Sequence, residues 1–326
     1  MNPFVFIVGC PRSGTTLLQR LVDAHPQLTI IHETHWIPKF YRKATEESPE
    51  AMVTRELLKQ LRKHPKFEHL RIPDEESRSW LGPAESVGFA AFVTAVFDHF
   101  GRKHGKPFVG DKTPAYARSV DLLHALWPEA RFIHLIRDGR DVCLSAINWR
   151  DTGRLLLRAS TWKEDADITA ALWWEWHVRM ARQSGRRLGP ELYCEVRYEA
   201  LVNQPAEECV KLCAFLGVPY DDAMLRFHEG RTRTEVGLDP KEAWLPVTPG
   251  LRDWRTQMPA DQVQRFEAAA GHLLDELGYP RAFPTPSPNA REEAARVRDV
   301  FIEDVRSPRR PLPEHLGPVG PRIADC

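Results

Sequence analysis

The feature that most constrains the fold is a glycine-bounded turn that follows a short apolar run near the start of the chain. The run Phe4-Val-Phe-Ile-Val8 leads into Gly9, and Gly14 precedes the start of an amphipathic helix, Thr15-Thr-Leu-Leu18. Glycine lets backbone N–H groups turn inward, and the helix directs its positive end toward the same point. The pattern predicts a strand–loop–helix unit that binds a phosphate group.

The rest of the sequence alternates between β-rich runs and segments with helical periodicity. This alternation predicts an α/β fold with a P-loop-like central parallel sheet flanked by helices. The predicted strands are residues 4–9, 28–32, 107–110, 131–136 and 192–196. The predicted helices are residues 14–24, 51–63, 85–104, 115–126, 141–149, 168–186, 206–216 and 260–277.

The C-terminal part of the sequence differs in composition from the rest. Residues 1–279 contain no internal repeat and no linker, and they are predicted to form one domain. In residues 280–326, prolines recur around one charged helical stretch at residues 291–305. This composition predicts a Pro-rich C-terminal extension with one short helix, which wraps the domain or contacts a neighbour.

The charge balance and the cysteines narrow the possible partners and compartments. The 326 residues include 45 basic and 45 acidic ones, so no nucleic-acid or membrane partner is expected and any anion site must be local. The six cysteines form no CxxC pair, and no apolar run is long enough to span a membrane. These features favour a cytoplasmic protein. No cluster of metal-ligating residues is present, so no metal is expected.

The turn at Gly9 departs from the P-loop of nucleotide hydrolases at one position. The sequence fits the Walker A pattern as far as GxxxxG, but Thr15 stands where that pattern has lysine. Arg12 instead brings a permanent, forked cation into the loop, which suits an anionic group attached to a single phosphate. A P-loop nucleotide kinase is therefore the alternative interpretation and not the preferred one.

A second basic turn follows the predicted strand at residues 131–136. There the chain continues as Arg137-Asp-Gly-Arg140 and turns into a helix that carries Ser145. Arg137 lies at the carboxyl end of the strand, and Ser145 follows about two helical turns later, so both can reach one phosphate group. A charged turn of this kind is a weak signal alone. Together with the first loop, it indicates a ligand with two separate phosphates.

These motifs resemble those of sulfotransferases that use 3′-phosphoadenosine-5′-phosphosulfate (PAPS). The segment Pro11-Arg-Ser-Gly-Thr-Thr-Leu-Leu18 resembles their 5′-phosphosulfate loop, and the 137–145 segment resembles their 3′-phosphate motif. Asp23-Ala-His-Pro26 and His32-Glu-Thr34 are most similar to the branch that contains tyrosyl-protein sulfotransferases and bacterial relatives. The resemblance covers residues 1–279, and it implies PAPS as sulfo donor and adenosine 3′,5′-bisphosphate as product.

The resemblance also implies which residues hold the donor. They are Arg12, Ser13, Gly14, Thr15 and Thr16 on the 5′ side, Arg137 and Ser145 at the 3′-phosphate, and Tyr198 as a further nucleotide contact. In the tyrosyl-protein branch an arginine follows one turn after the serine, whereas Trp149 stands there in this chain. Arg150 is the candidate substitute.

Three residues are expected to act in catalysis. By the same resemblance Glu33 is the general base, and it can accept the hydroxyl proton if the site raises its pKa toward neutrality. Lys112, in Gly110-Asp-Lys-Thr-Pro114, matches a lysine of that branch. With Arg12 it is expected to stabilise charge on the transferring sulfo group. His32 and His35 flank Glu33 and are the alternative bases.

The acceptor is less constrained than the donor. It carries a hydroxyl group on a small molecule, a sugar or a peptide tyrosine, and a homodimer is one option for the assembly. Aromatic residues at 36–41, 80 and 173–176 line either an acceptor cleft or the core. Weak candidates to contact the nucleotide are Arg231, Arg233 and Lys241. A nonenzymatic nucleotide-binding protein is the third interpretation.

Overall fold

The computed structural model of the protein describes residues 2–148, 159–229 and 253–306. Its centre is a five-stranded sheet with the order β2-β5-β1-β6-β7, in which all neighbours are parallel. The strands are β1 (Val5–Gly9), β2 (Leu28–His32), β3 (Met52–Thr54), β4 (Ser86–Gly88), β5 (Phe108–Lys112), β6 (Arg131–Ile136) and β7 (Tyr193–Arg197). Strands β3 and β4 form a separate antiparallel pair. The predicted α/β fold with a central parallel sheet is confirmed.

Helices cover both faces of this sheet. They are α1 (Thr15–Asp23), α2 (Ile37–Glu47), α3 (Arg55–Arg62), α4 (Pro65–Glu68), α5 (Asp74–Ser79), α6 (Phe89–His104), α7 (Val120–Leu126), α8 (Gly139–Ile147), α9 (Ala166–Leu188), α10 (Tyr198–Asn203), α11 (Pro205–Leu216), α12 (Trp254–Gln257), α13 (Ala260–Glu276) and α14 (Pro288–Arg306). Short 3₁₀ helices lie at Pro114–Arg118, Ser160–Lys163, Asp222–Met224 and Phe227–Glu229.

Strand β1 shows why the sequence forms this layered core. Its side chains alternate between faces, as they do in any strand. Phe6 and Val8 pack with α2, α3 and α6, whereas Val5 and Ile7 pack with α1 and α11. Because helices cover both faces, every residue of the strand is buried, and the run is continuously apolar.

Two predicted helices begin later than the sequence indicated. The helix predicted at residues 51–63 starts at Arg55, because Met52–Thr54 pairs with Ser86–Gly88. The same pairing delays the helix predicted at residues 85–104 until Phe89. The Thr54 side chain caps the first of these helices by accepting a hydrogen bond from the backbone N–H of Leu57.

The helix at residues 115–126 and the helix α2 also differ from prediction. The first is divided into a 3₁₀ helix, Pro114–Arg118, and α7. The second was not predicted as a helix; it has proline near its N-terminus, a common place for proline in helices. Its aromatic residues, Phe40 and Tyr41, pack in the core.

The C-terminal helix α14 packs on the domain. Ala294, Val297 and Phe301 are buried against α9 and α13. Ion pairs between Arg265 and Glu293 and between Arg296 and Asp165 join the same elements. At 19 residues, the helix is longer than the charged stretch that predicted it.

The carboxyl ends of the parallel strands lie at one edge of the sheet, where α/β folds place their ligands. The loops that follow β1, β2, β5, β6 and β7 therefore converge. Within residues 2–148, 159–229 and 253–306, no helix is long and apolar enough to cross a membrane.

Candidate active site

The loop after β1 has the backbone shape of an anion cradle. Arg12 and Gly14 have positive φ angles of 78° and 94°, and helix α1 begins at the next residue. Positive φ is uncommon for a residue other than glycine and often marks a functional site. The Ser13 hydroxyl is buried and has no hydrogen-bond partner in the described part of the chain. The Ser13 hydroxyl is therefore a candidate to hydrogen-bond a bound ligand.

Tyr198 closes one side of this loop. It is the first residue of α10, directly after β7. A Cβ atom on Gly14 would lie 2.4 Å from the Tyr198 ring, so only glycine fits there. The guanidinium carbon of Arg137 lies 4.1 Å from the centre of the same ring. The structure therefore brings Gly14, Arg137 and Tyr198 together.

The second basic turn, after β6, adjoins the first loop. Arg137 is only 7% exposed, and its Nε atom has no hydrogen-bond partner among the described residues. Its Nη2 lies 3.4 Å from the Asp141 carboxylate. The Ser145 hydroxyl accepts a hydrogen bond of 3.1 Å from Nε of Arg12. The residues assigned to two separate phosphates are therefore in direct contact across the two loops.

The other arginine of the turn, Arg140, has a structural role. Its buried guanidinium pairs with Asp138 at 2.7 Å and with Glu267 at 2.6 Å, and it lies 3.6 Å from the Trp254 ring centre. The Trp254 indole N–H donates to Asp138 at 3.1 Å. This cluster ties the start of α12 to the second basic turn. The sequence did not predict it, because Glu267 and Trp254 lie more than 100 positions from the turn in the chain.

Glu33 and Lys112 form the centre of the site. Glu33 follows β2 and has a positive φ of 54°. Its Oε1 accepts a hydrogen bond of 2.7 Å from Nζ of Lys112, which also lies 3.4 Å from the Thr16 hydroxyl. The Lys112 side chain is fully buried, whereas Glu33 keeps 26% of its side chain exposed. One oxygen of Glu33 therefore holds the lysine, and the carboxylate still reaches solvent.

Asp111, the residue before Lys112 in β5, belongs to a different hydrogen-bond network. Consecutive residues of a strand point to opposite faces. The Asp111 carboxylate accepts a hydrogen bond of 3.1 Å from the backbone N–H of Thr34. The Thr34 hydroxyl bonds the Tyr116 hydroxyl at 2.8 Å, and that oxygen accepts from the backbone N–H of Ile37. This buried network fixes the turn that carries Glu33, and the sequence did not reveal it.

The pKa of Glu33 is lowered in the free protein. Burial alone raises it, but the hydrogen bond with His35 and the charge of Lys112 outweigh burial and hold the pKa well below its usual range. Burial lowers the pKa of Lys112, and the Glu33 charge opposes that change. The condition for Glu33 to act as a base, a rise of its pKa toward neutrality, is therefore not met in the free protein.

The two flanking histidines differ in their surroundings. His35 lies 3.1 Å from Glu33 and is more than one-third exposed. His32 is mostly buried, and its Nδ1 atom bonds Oε1 of Gln19 at 2.9 Å. Burial, followed by the charge of Lys112, lowers the pKa of His32 to about 3, so its imidazole is neutral.

Most of the aromatic candidates belong to the core. Trp36 and Trp174 are fully buried, and Trp176 is nearly so. The Trp174 indole N–H donates to the backbone oxygen of Arg137, so it supports the second basic turn. Other candidates lie outside the described residues: Trp149, Arg150, Arg231, Arg233 and Lys241. No group of three or more residues able to hold a metal ion occurs among the residues that the structure describes.

The fold and the site define an α/β protein with a P-loop-like anion cradle and a second cationic turn at the carboxyl edge of its sheet. A model of the sulfotransferase family matches residues 3–222. The chain belongs to the sulfotransferase family. This membership and the fold support transfer of a sulfo group.

The relatives found by sequence are protein-tyrosine sulfotransferases. Over 322 residues the chain is 28% identical to protein-tyrosine sulfotransferase 1 of Danio rerio, covering 95% of this chain and 81% of that protein. It is also 28% identical to the protein-tyrosine sulfotransferase of Drosophila melanogaster over 289 residues, which are 85% of this chain and 52% of the relative. These matches confirm the branch that the motifs predicted.

Solved structures of bacterial sulfotransferases share the fold. The sulfotransferase domain from the Synechococcus PCC 7002 olefin synthase superimposes with a TM-score of 0.60 and 26% identity, covering 86% of this chain and 95% of that chain. The sulfotransferase domain from the curacin biosynthetic pathway gives a TM-score of 0.57 at 22% identity, over 86% of this chain and 99% of that chain.

Proposed function

We propose that this protein transfers a sulfo group from PAPS to a hydroxyl group of an acceptor. The observation that carries the proposal is the pair of adjoining loops whose Ser13 hydroxyl and Arg137 Nε are buried without hydrogen-bond partners in the described ranges. Buried polar groups of this kind are normally satisfied, so a bound ligand is the expected partner. PAPS has anionic groups at both its 3′ and 5′ positions and is the donor implied by the family resemblance.

The residues present fit such a donor. Arg12, Ser13, Gly14, Thr15 and Thr16 would hold the phosphosulfate, with backbone N–H groups and the start of α1 directed toward it. Arg137 and Ser145 would hold the 3′-phosphate, and Tyr198 would contact the nucleotide. The donor supplies the sulfo group, and adenosine 3′,5′-bisphosphate leaves.

The chemical step assigns one role to each central residue. The acceptor oxygen forms a bond to sulfur, the bond from sulfur to the bridging oxygen of the donor breaks, and the hydroxyl proton passes to Glu33. Arg12 and Lys112 stabilise the negative charge on the sulfo group and the leaving phosphate. Because Lys112 pairs with Glu33 in the free protein, donor charge beside Lys112 would weaken that pair and make Glu33 more basic.

The acceptor is proposed as a class. The curated relatives are named for protein tyrosine, which supports a phenolic hydroxyl. A sugar or another small molecule is the other option, and the partly exposed face of Glu33 is where its hydroxyl would bind.

The test combines labelled PAPS, a panel of phenols, sugars and tyrosine peptides, and mass identification of the sulfated product. Arg12→Ala is expected to abolish transfer and weaken binding of the bisphosphate, whereas Glu33→Gln lowers turnover with little change in that binding. The matched controls are Arg291→Ala and Glu292→Gln, because both residues are exposed on α14.

Three outcomes would contradict parts of this proposal. Near-normal turnover in Glu33→Gln would remove its role as the base. Magnesium-dependent turnover of ATP would favour a nucleotide kinase. Tight bisphosphate binding without any labelled product would favour a nonenzymatic nucleotide-binding protein.

A further inference from the structure

The imidazole of His32 is held in one orientation beside Glu33. Gln19 is fully buried on α1, and its Nε2 donates to the backbone oxygen of Ile30 at 3.3 Å. Its Oε1 therefore faces His32 and accepts from Nδ1 at 2.9 Å. Because Nδ1 carries the proton in this arrangement, Nε2 has a free lone pair.

Nε2 of His32 lies close to the carboxylate of Glu33, the proposed base. Nε2 of His32 lies 4.0 Å from Oε1 of Glu33, and the two side chains are 21% and 26% exposed. His32 and Lys112 are also paired neighbours in the sheet. In the part of the chain that the structure describes, Nδ1 of His32 makes the ring's one recorded hydrogen bond. Two hydrogen-bond acceptors thus stand side by side where an acceptor molecule would bind.

We propose that the acceptor is a vicinal diol, such as a catechol or a sugar, whose second hydroxyl donates a hydrogen bond to Nε2 of His32. The proposal rests on the proposed function, in which Glu33 faces the hydroxyl that is sulfated. Adjacent hydroxyls project side by side from a ring, and each has one proton to donate. Two acceptors 4.0 Å apart match that arrangement.

A monohydroxyl compound matches the site less well. Its single proton satisfies Glu33 and leaves Nε2 of His32 without a donor once water is excluded. An unpaired buried acceptor reduces affinity, and sites built to bond a hydroxyl discriminate against analogues that lack it. The low pKa of His32 keeps this nitrogen unprotonated at neutral pH, so it stays an acceptor.

The experiment compares 4-methylcatechol with 4-methylphenol by calorimetric titration of the full chain saturated with adenosine 3′,5′-bisphosphate. We expect the catechol to bind about fivefold more tightly or better, the contribution of one ordinary hydrogen bond. His32→Leu should reduce the ratio to near one. His272→Leu is the matched control, because that histidine is exposed on α13, and it should leave the ratio unchanged.

A second variant guards against misfolding of the first. Gln19→Leu keeps His32 but removes the partner of Nδ1, so it should also lower the catechol preference. Equal affinities for the two compounds in the wild-type protein, or an undiminished preference in His32→Leu, would overturn the proposal. The titration measures binding and requires no sulfo transfer. If transfer from PAPS is absent, the proposed function is contradicted, but the comparison of the two affinities still tests this proposal. If the bisphosphate does not bind, the same titration is made on the protein alone.

Discussion

Two neighbouring residues of β5, Asp111 and Lys112, have opposite surroundings. Lys112 points toward Glu33 and α1, whereas Asp111 points into the network of Thr34 and Tyr116. Burial raises the pKa of Asp111 to about 6, and the hydrogen bond from the backbone N–H of Thr34 opposes the rise. Lys112 is therefore a buried cation of the candidate active site, whereas Asp111, one position earlier, supports the backbone of the turn at Thr34.

The first prediction concerns the pH dependence of stability. The pKa of Asp111 is about 6 in the folded protein, and that of an unperturbed aspartate is 3.8. Between these pH values the folded state therefore binds more protons than the unfolded state. Stability therefore falls as pH rises from about 4 to about 6 and levels off outside this window. Asp111→Asn keeps an acceptor for Thr34 and removes this loss. The variant should gain up to about 3 kcal/mol relative to the wild type between pH 4 and pH 7.

The measurement is urea unfolding at a series of pH values. Asp299→Asn, on an exposed position of α14, is the control and should show no such window. A difference between Asp111→Asn and the wild type that does not vary with pH would contradict the prediction.

Single residues show what the sequence reveals and what it conceals. Arg12, Glu33 and Lys112 were predicted from motifs that resemble those of the family and that lie at or just after strand ends. The contacts of Glu33 with His35 and Lys112, which lower its pKa, were not predicted. Contacts between distant segments set the electrostatics, and one sequence does not report them.

At the scale of elements, the conformation of the loop after β1 depends on how closely α10 approaches it. Tyr198 occupies the space that a side chain at Gly14 would need, and the Arg137 guanidinium lies over the same ring. Three elements, the loop after β1, the turn after β6 and the start of α10, therefore share one contact.

The second prediction tests this contact with Gly14→Ala. The variant combines a strained φ of +94° with a Cβ 2.4 Å from Tyr198, so the loop must shift. Affinity for adenosine 3′,5′-bisphosphate, measured by calorimetry, should fall at least tenfold. Gly105→Ala is the control, because its φ is +64° and no atom lies within 4 Å of the added Cβ. It should cost about 1–2 kcal/mol of stability and leave affinity unchanged. Equal affinities in the two variants would contradict the prediction.

The length and burial of an element determine how well the sequence predicts it. The five strands of the central sheet were predicted to within about two residues, because their apolar runs are buried on both faces. The three-residue strands β3 and β4 were missed, because they are short and only partly buried. Helix α2 was missed because its proline obscured the helical pattern.

At the scale of the whole molecule, the C-terminal helix α14 completes a cluster with α9 and α13. Phe301 is 1% exposed within it, and Arg265 bonds Asp165, Asp167 and Glu293 across the three elements. Helix α14 therefore covers part of the apolar face of α9. Because α9 also carries Trp174, which supports Arg137, this packing reaches the second basic turn.

The third prediction compares neighbouring residues of α14. Phe301→Ala should lower the free energy of unfolding by about 3–5 kcal/mol, because it opens a cavity in the cluster. Val300→Ala removes an adjacent side chain that is 38% exposed, and the change should stay within about 0.5 kcal/mol. Urea unfolding at neutral pH measures both. Similar small losses in the two variants would show that the helix contributes little to stability.

The hydrogen bond between Arg12 and Ser145 makes the two anion loops energetically interdependent in the free protein. A ligand with groups for both loops replaces that bond with partners on each side. A ligand with one such group, such as adenosine monophosphate, disturbs the bond and supplies only one replacement. Under the proposed function, this bond would therefore make a mononucleotide bind more weakly than a ligand that has an anionic group for each loop.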